Sequence, residues 1–245
     1  MNKPLIFSLF MVFSVSLVMA VGMPEFTNAI VTKSYNNVSV TIPENAVEVS
    51  PGVFFIGTST DVNGDVLEGY AIFEKPSWAG GKDKNTTTES TCFAFLASGA
   101  KWKDYESYLV DASNDQNLSE QAIKDIVRDA IIEWETEAGQ DVFGNEVSGV
   151  IQGGTIGSSA NGQNEVVFGS ISQSGAIAVT YVWGIFSGKP SNRRLAEWDQ
   201  VYDQVDFPWS LSGEAGKMDF ENIAQHEIGH SLGLGHPSDD CTEET

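Results

Sequence analysis

The sequence predicts an α+β fold of about 150 residues, preceded by an export segment and a small β-rich region. Three features carry that reading. Residues 28–76 hold short strand-like runs broken by turn residues, residues 117–139 show a helical apolar stripe, and strand-like runs at 166–171 and 176–183 precede a last helix at 218–232. A period of two puts like residues on one face of a strand, and spacings of three, four and seven do so on a helix.

The first twenty residues read as a signal peptide. Lys3 supplies a positive start, Leu5 to Val18 is apolar apart from Ser8, Ser14 and Ser16, and Val18, Met19 and Ala20 offer a cleavage site after Ala20. The other reading is an uncleaved anchor, because the run extends to Val21 and approaches the roughly 20 residues that span a bilayer. Both place the rest of the chain outside the cytoplasm, as a secreted or an anchored protein. With the signal removed, no stable membrane insertion is expected, since no second apolar run is long enough to span. Export also permits disulfides, and Asn37, Asn85 and Asn117 open Asn-x-Ser/Thr sequons.

Residues 21–90 form the β-rich N-terminal region, readable as a prosegment or as an accessory module. Val38 to Ile42 alternates apolar and polar residues, and Val53 to Ile56 is followed across Asn63 and Gly64 by Val66 to Phe73, a hairpin pattern. The acids of that loop, Asp61 and Asp65, invite a calcium reading. An EF-hand loop needs glycine at its sixth position and an acid at its twelfth, and here those are Val66 and Ile72, so a turn is expected. Residues 77–90 are polar and rich in Gly and Thr, as linkers are.

The main domain is expected over 91–245. Its helix opens at Asn117 with Glu120 three residues on as a capping box, carries Ile123, Ile126, Val127, Ala130, Ile131 and Trp134 on one face, and stops at Gly139. That stripe is core packing. Gly149 to Gly162 has no Gly-Lys-Ser/Thr to make a phosphate loop and reads as loop.

Composition narrows the partners. With 34 acidic against 13 basic side chains the net charge is −21, which repels nucleic acid and anionic membranes and makes either a poor partner. Hydrophobic residues make up 41% of the chain, enough for a core, and two cysteines are too few for a disulfide scaffold or a cysteine metal cluster.

The chemistry concentrates in His226-Glu227-Ile228-Gly229-His230-Ser231-Leu232-Gly233-Leu234-Gly235-His236, which holds all 3 histidines of the chain. Residues four apart lie one helical turn apart, so His226 and His230 can place two ring nitrogens on one Zn²⁺. Gly233 can take positive φ, letting the chain leave the helix and return His236 as third ligand. Three imidazoles leave a position for water, and Glu227, beside the first ligand, can take that water's proton as general base.

This string is the HExxHxxGxxH signature, and the chain resembles metzincin zinc endopeptidases, most closely matrixins (the peptidase M10 type) in a prokaryotic form. The resemblance covers about residues 100–236, including 176–183, Leu195 to Asp199 and the lead-in from Met218 to Gln225. It implies a metzincin-like catalytic domain in which a twisted mixed sheet carries a long helix and a zinc-binding active-site helix. It also implies hydrolysis of peptide bonds, with Gly175, Ala176, Ile177, Ala178 and Val179 as the edge that binds an extended substrate.

Two departures go with the resemblance. Metzincins place a methionine turn under the zinc after the third histidine; the methionines here are 1, 11, 19, 23 and 218, so the expectation is a chain cut short before that turn. Many matrixins block zinc with a propeptide cysteine, but the apolar setting of Cys92 does not resemble that switch, and a disulfide from Cys92 to Cys241 is expected instead. Structural Ca²⁺ on acids such as Glu197 and Asp199 is a further implication, against a solvated acidic surface. The alternative function is an exported surface or binding protein with an inactive metzincin domain.

Overall fold

The computed structural model describes residues 38–75, 94–151 and 156–236. The signal segment 1–20, residues 77–90, Cys92, Cys241, Asn37, Asn85 and the residues after His236 lie outside them. The N-terminal elements are β1 (Ser39–Val40), β2 (Val47–Ser50), β3 (Val53–Thr60), β4 (Val66–Glu74), β5 (Ala94–Phe95) and β6 (Glu106–Asp111). Helix α1 (Glu120–Ala138) follows, then β7 (Phe143–Glu146), β8 (Asn164–Ile171), β9 (Ala178–Ile185) and β10 (Arg194–Asp203). The chain continues through β11 (Trp209–Ser210), β12 (Met218–Asp219), helix α2 (Phe220–Ser231) and β13 (Leu234–Gly235). The architecture is the expected α+β.

One mixed sheet organises the chain, in the order β2-β3-β4-β9-β10-β8-β6-β7, with β1 added alongside β8. Strands β7, β6, β8 and β10 run parallel to one another, whereas β9 pairs antiparallel with β10 and with β4, and β4, β3 and β2 continue antiparallel. Alternate residues therefore serve two cores. Val166 and Phe168 on β8 and Trp198 and Tyr202 on β10 pack against the helices, while Val167, Val201, Val179 and Trp183 face the opposite core with Leu67 and Ala71 of β4.

Helix α1 starts later than expected. Asn117 holds φ 56, a left-handed conformation that turns the chain and is not the extended geometry of an N-cap. Ser119, extended at φ −66 and ψ 114, caps instead, accepting from Ala122 N. Gly139 ends the helix at φ 66, as expected. The stripe packs as predicted, with Ile123, Val127, Ala130 and Ile131 buried and Ile126 and Trp134 partly so. The hairpin forms too, although only Gly64 uses positive φ. Asp61 Oδ1 accepts from Asn63 N and Asp65 N, and Arg194 pairs with Asp61 at 2.6 Å and Asp65 at 2.9 Å. These acids serve a turn and an arginine. Among the described residues no helix is long and apolar enough to cross a membrane.

Phe220, the first residue of α2, anchors that helix in a nest of rings, with centroids 4.9 Å from Tyr202, 5.4 Å from Phe168 and 5.8 Å from Trp209. Phe220→Ala is expected to cost about 3–5 kcal/mol in urea unfolding, against about 1 kcal/mol for Ser119→Ala. Equal losses for the two would contradict this account of the core.

Candidate metal centre

Helix α2 begins where the Asp219 side chain accepts from Glu221 N, and it lies across α1 and the sheet. Gly229 faces α1, where a Cβ would meet Trp134 Cζ2 at 2.9 Å, so the helices approach closely just where the histidine motif runs. Trp134 Nε1 donates to Gln225 O at 2.8 Å, and Trp102 Nε1 to Ser231 O at 2.9 Å, satisfying a carbonyl at the helix end. Beneath α2 a buried polar seam joins it to the sheet. Tyr202 OH donates to Gln200 Oε1 at 2.8 Å, Gln200 Nε2 to Ser231 Oγ at 3.0 Å, and Thr180 Oγ1 of β9 to the Glu227 carboxylate.

This seating leaves the histidines together. His226 and His230, one turn apart, have ring centroids 4.5 Å apart. The helix then ends as expected: Gly233 takes φ 89, its N–H donates to His230 O at 2.8 Å, and β13 pairs with β5. The chain so turned brings the His236 ring to 4.8 Å from His230 and 5.6 Å from His226. His230 Nδ1 lies 2.9 Å from Leu234 O, which as a hydrogen bond from Nδ1–H leaves Nε2 with a free lone pair.

A fourth group completes the set, and it was not expected. Glu74, the last residue of β4, puts Oε2 3.0 Å from His226 Nε2 and 3.3 Å from His236 Nε2. One ligand atom from each of Glu74, His226, His230 and His236 lies within 4.8 Å of all the others, which no other His, Cys, Asp or Glu group of three or more achieves among the described residues. Apart from the Glu74 carboxylate, the buried Nε2 atoms of the three histidines have no hydrogen-bond partner. Nitrogen lone pairs left unsatisfied in this way fit a Zn²⁺ ion, whose usual ligands are imidazole and carboxylate.

Charge and burial tune the centre. Burial pushes Glu74 upward, but contacts with His226 and His236 outweigh it and hold the carboxyl down at about 2. Burial lowers His230, helped by the charges of its two neighbours, which favours the neutral imidazole. Glu227 is fully buried, and that burial raises it to about 7 against the charge of His226 and the Thr180 hydrogen bond. Its Oε1 has no hydrogen-bond partner.

The expected substrate edge is next to this centre. Gly175 turns at φ 77, Ala176 N donates to Gln173 O, and Ile177 N donates to Glu74 O at 3.0 Å. Ala178 and Val179 pair with Glu74 and Phe73, so this edge is taken up by β4. Glu197 and Asp199, expected on a solvated surface or on calcium, are instead buried in β10. Glu197 accepts from Asn161 N and Gly162 N, Asp199 Oδ1 accepts from Glu165 N, and neither belongs to the four-residue set. Sequence reasoning missed Glu74 and Thr180. Thr180 had a signal, as the polar member of the row Ala178, Thr180, Val182 that faces the helix side of β9.

Residues 172–242 match the matrixin family model, Peptidase M10. No curated protein matches the chain. The match runs from just before β9 through β10 and α2 to beyond His236, and it supports a matrixin-like metzincin domain of a zinc-dependent metalloprotease family.

Two outcomes are expected. Gly233→Ala forces a side chain into positive φ and toward Leu195 Cδ1, 3.2 Å from the new Cβ, displacing His236. Zinc affinity by chelator competition should fall about tenfold or more, and an unchanged affinity would remove Gly233 from the site's construction. Burial raises Glu197 to about 7, opposed by the Asn161 and Gly162 bonds and reinforced by the charge of Glu165. A carboxyl whose folded value lies above its unfolded one stabilises fully below the unfolded value, and loses that contribution as pH rises through the folded one. Unfolding midpoints in chelator should therefore fall between pH 4.5 and 7, and Glu197→Gln should flatten that slope.

Proposed function

We propose that this chain is an exported zinc-dependent endopeptidase that hydrolyses peptide bonds, with Glu227 as general base. One observation carries the reading: three imidazole nitrogens lacking other hydrogen-bond partners converge beside a carboxylate held, fully buried, in the same turn of helix. A purely structural site needs no such carboxylate.

His226, His230 and His236 would hold the ion through Nε2, with Leu234 O fixing the ring of His230. Zinc, when bound, supplies a positive charge that polarises a carbonyl oxygen and makes water more acidic. The chain's own residues do the rest. Thr180 fixes one carboxylate oxygen of Glu227 and leaves Oε1 to accept a proton from water. A buried carboxylate beside the first histidine is placed both to take the proton and to return it to the departing amine. With β4 displaced, the backbone of β9 at Ile177 to Val179 would offer donors and acceptors to an extended peptide, which fits protein or peptide substrates.

The second reading, an exported binding protein with an inactive metzincin domain, is favoured by Glu74, because a fourth protein ligand is the mark of a closed zinc site. Metal analysis with casein hydrolysis separates the two, run with Glu74 intact and with Glu74→Ala. The protease reading expects one zinc per chain, and a residual rate in Glu74→Ala, low because β4 still lies along β9, that Glu227→Gln lowers by roughly 10²–10⁴-fold without loss of zinc. Zinc bound stoichiometrically with no dependence of hydrolysis on Glu227 would sink it.

A further inference from the structure

We propose that the β3–β4 hairpin is an intramolecular occupant of the substrate cleft, with Glu74 as fourth zinc ligand and β4 in the place of a substrate strand. The inference rests on the protease reading and adds its regulation: while the hairpin is attached, the site is latent.

Strand β4 runs antiparallel along β9 through seven consecutive pairs, from Glu68 opposite Gly184 to Glu74 opposite Ala178. A sheet edge can pair with one strand at a time, so a peptide cannot add to β9 while β4 lies there. The fit is close. Leu67, Ala71, Ile72 and Phe73 are buried, and Gly69 lies directly against the Trp183 ring, which leaves no room for a side chain.

The register then delivers the ligand. Because Ile177 N donates to Glu74 O, the backbone of β4 reaches the end of β9 just where the histidines converge, and the Glu74 side chain meets His226 and His236. A second contact comes from the turn between β2 and β3. Gly52 O accepts from Phe73 N at 2.9 Å, and Pro51 O lies 3.5 Å from His236 Nδ1, on the side of the ring away from Glu74. The β2–β3 turn and β4 thus approach the third histidine at its two nitrogens. Three histidines and one carboxylate fill a tetrahedral zinc site and leave no position for water or for a substrate carbonyl.

Cobalt-substituted protein provides the test, since its visible spectrum reports the ligands directly. In the native chain the spectrum should not respond to acetohydroxamate, a small chelating ligand that needs an open position. In Glu74→Ala it should respond, and zinc affinity should fall about 10- to 100-fold. Glu74→Gln keeps the side-chain shape and serves if the alanine variant folds poorly; it should respond in the same direction. A peptidyl hydroxamate should bind Glu74→Ala no better than acetohydroxamate, because β4 still holds the edge of β9. An equal response of native and variant protein to acetohydroxamate overturns the ligand assignment and leaves the protease reading standing. A peptidyl hydroxamate that binds the native chain about 100-fold more tightly than acetohydroxamate overturns the occupied cleft. Failure of both proteins to bind cobalt overturns the proposal together with the zinc reading.

Discussion

The buried polar seam between α2 and the sheet is the constraint on which the site depends. Thr180, Gln200, Tyr202, Glu227 and Ser231 are all 4% exposed or less, and they meet where a helix lies across two antiparallel strands. Polar groups withdrawn from water must find partners, and an unmade bond here costs about 1–3 kcal/mol. The seam therefore selects one rotation of α2. In that rotation Glu227 points at Thr180 of β9 and His226 faces Glu74. Hydrophobic burial supplies the strength of the packing and the hydrogen bonds supply its orientation.

Strand β9 links that seam to everything on its other side. One face of it holds Thr180 against Glu227, the other buries Tyr181 and Trp183 in the second core, and its two edges pair with β4 and β10. The same strand thus orients Glu227 and anchors the N-terminal hairpin. The net charge of −21 fits this economy, because few cations are available to balance acids in the interior. Glu197 accepts backbone N–H groups, and Glu74 faces the histidines. Arg194, with its two aspartates in the hairpin turn, is the exception, and it fastens the hairpin to β10 from the end opposite Glu74.

Legibility of the sequence followed the range of the interactions. The pair His226 and His230 depends on one helical turn, and Gly233 on one residue's φ, so both could be read directly. Strand β10 could not. Glu197, Asp199, Gln200 and Asp203 interrupt its apolar pattern, and their burial is made possible by loop N–H groups and neighbouring strands that no local window contains. Asn117 misled for a related reason: an asparagine before a helix suits a cap, but here it turns the chain two residues before the cap at Ser119.

The sequence by itself determined the helix that carries His226, Glu227 and His230, its glycine exit and the return of His236, because spacing along the chain is enough to bring those groups together. Only the tertiary structure decided that Thr180 orients Glu227 and that Glu74 joins the three histidines. Those contacts arise from strand pairing and helix packing between distant segments, where register places side chains and no local periodicity records it.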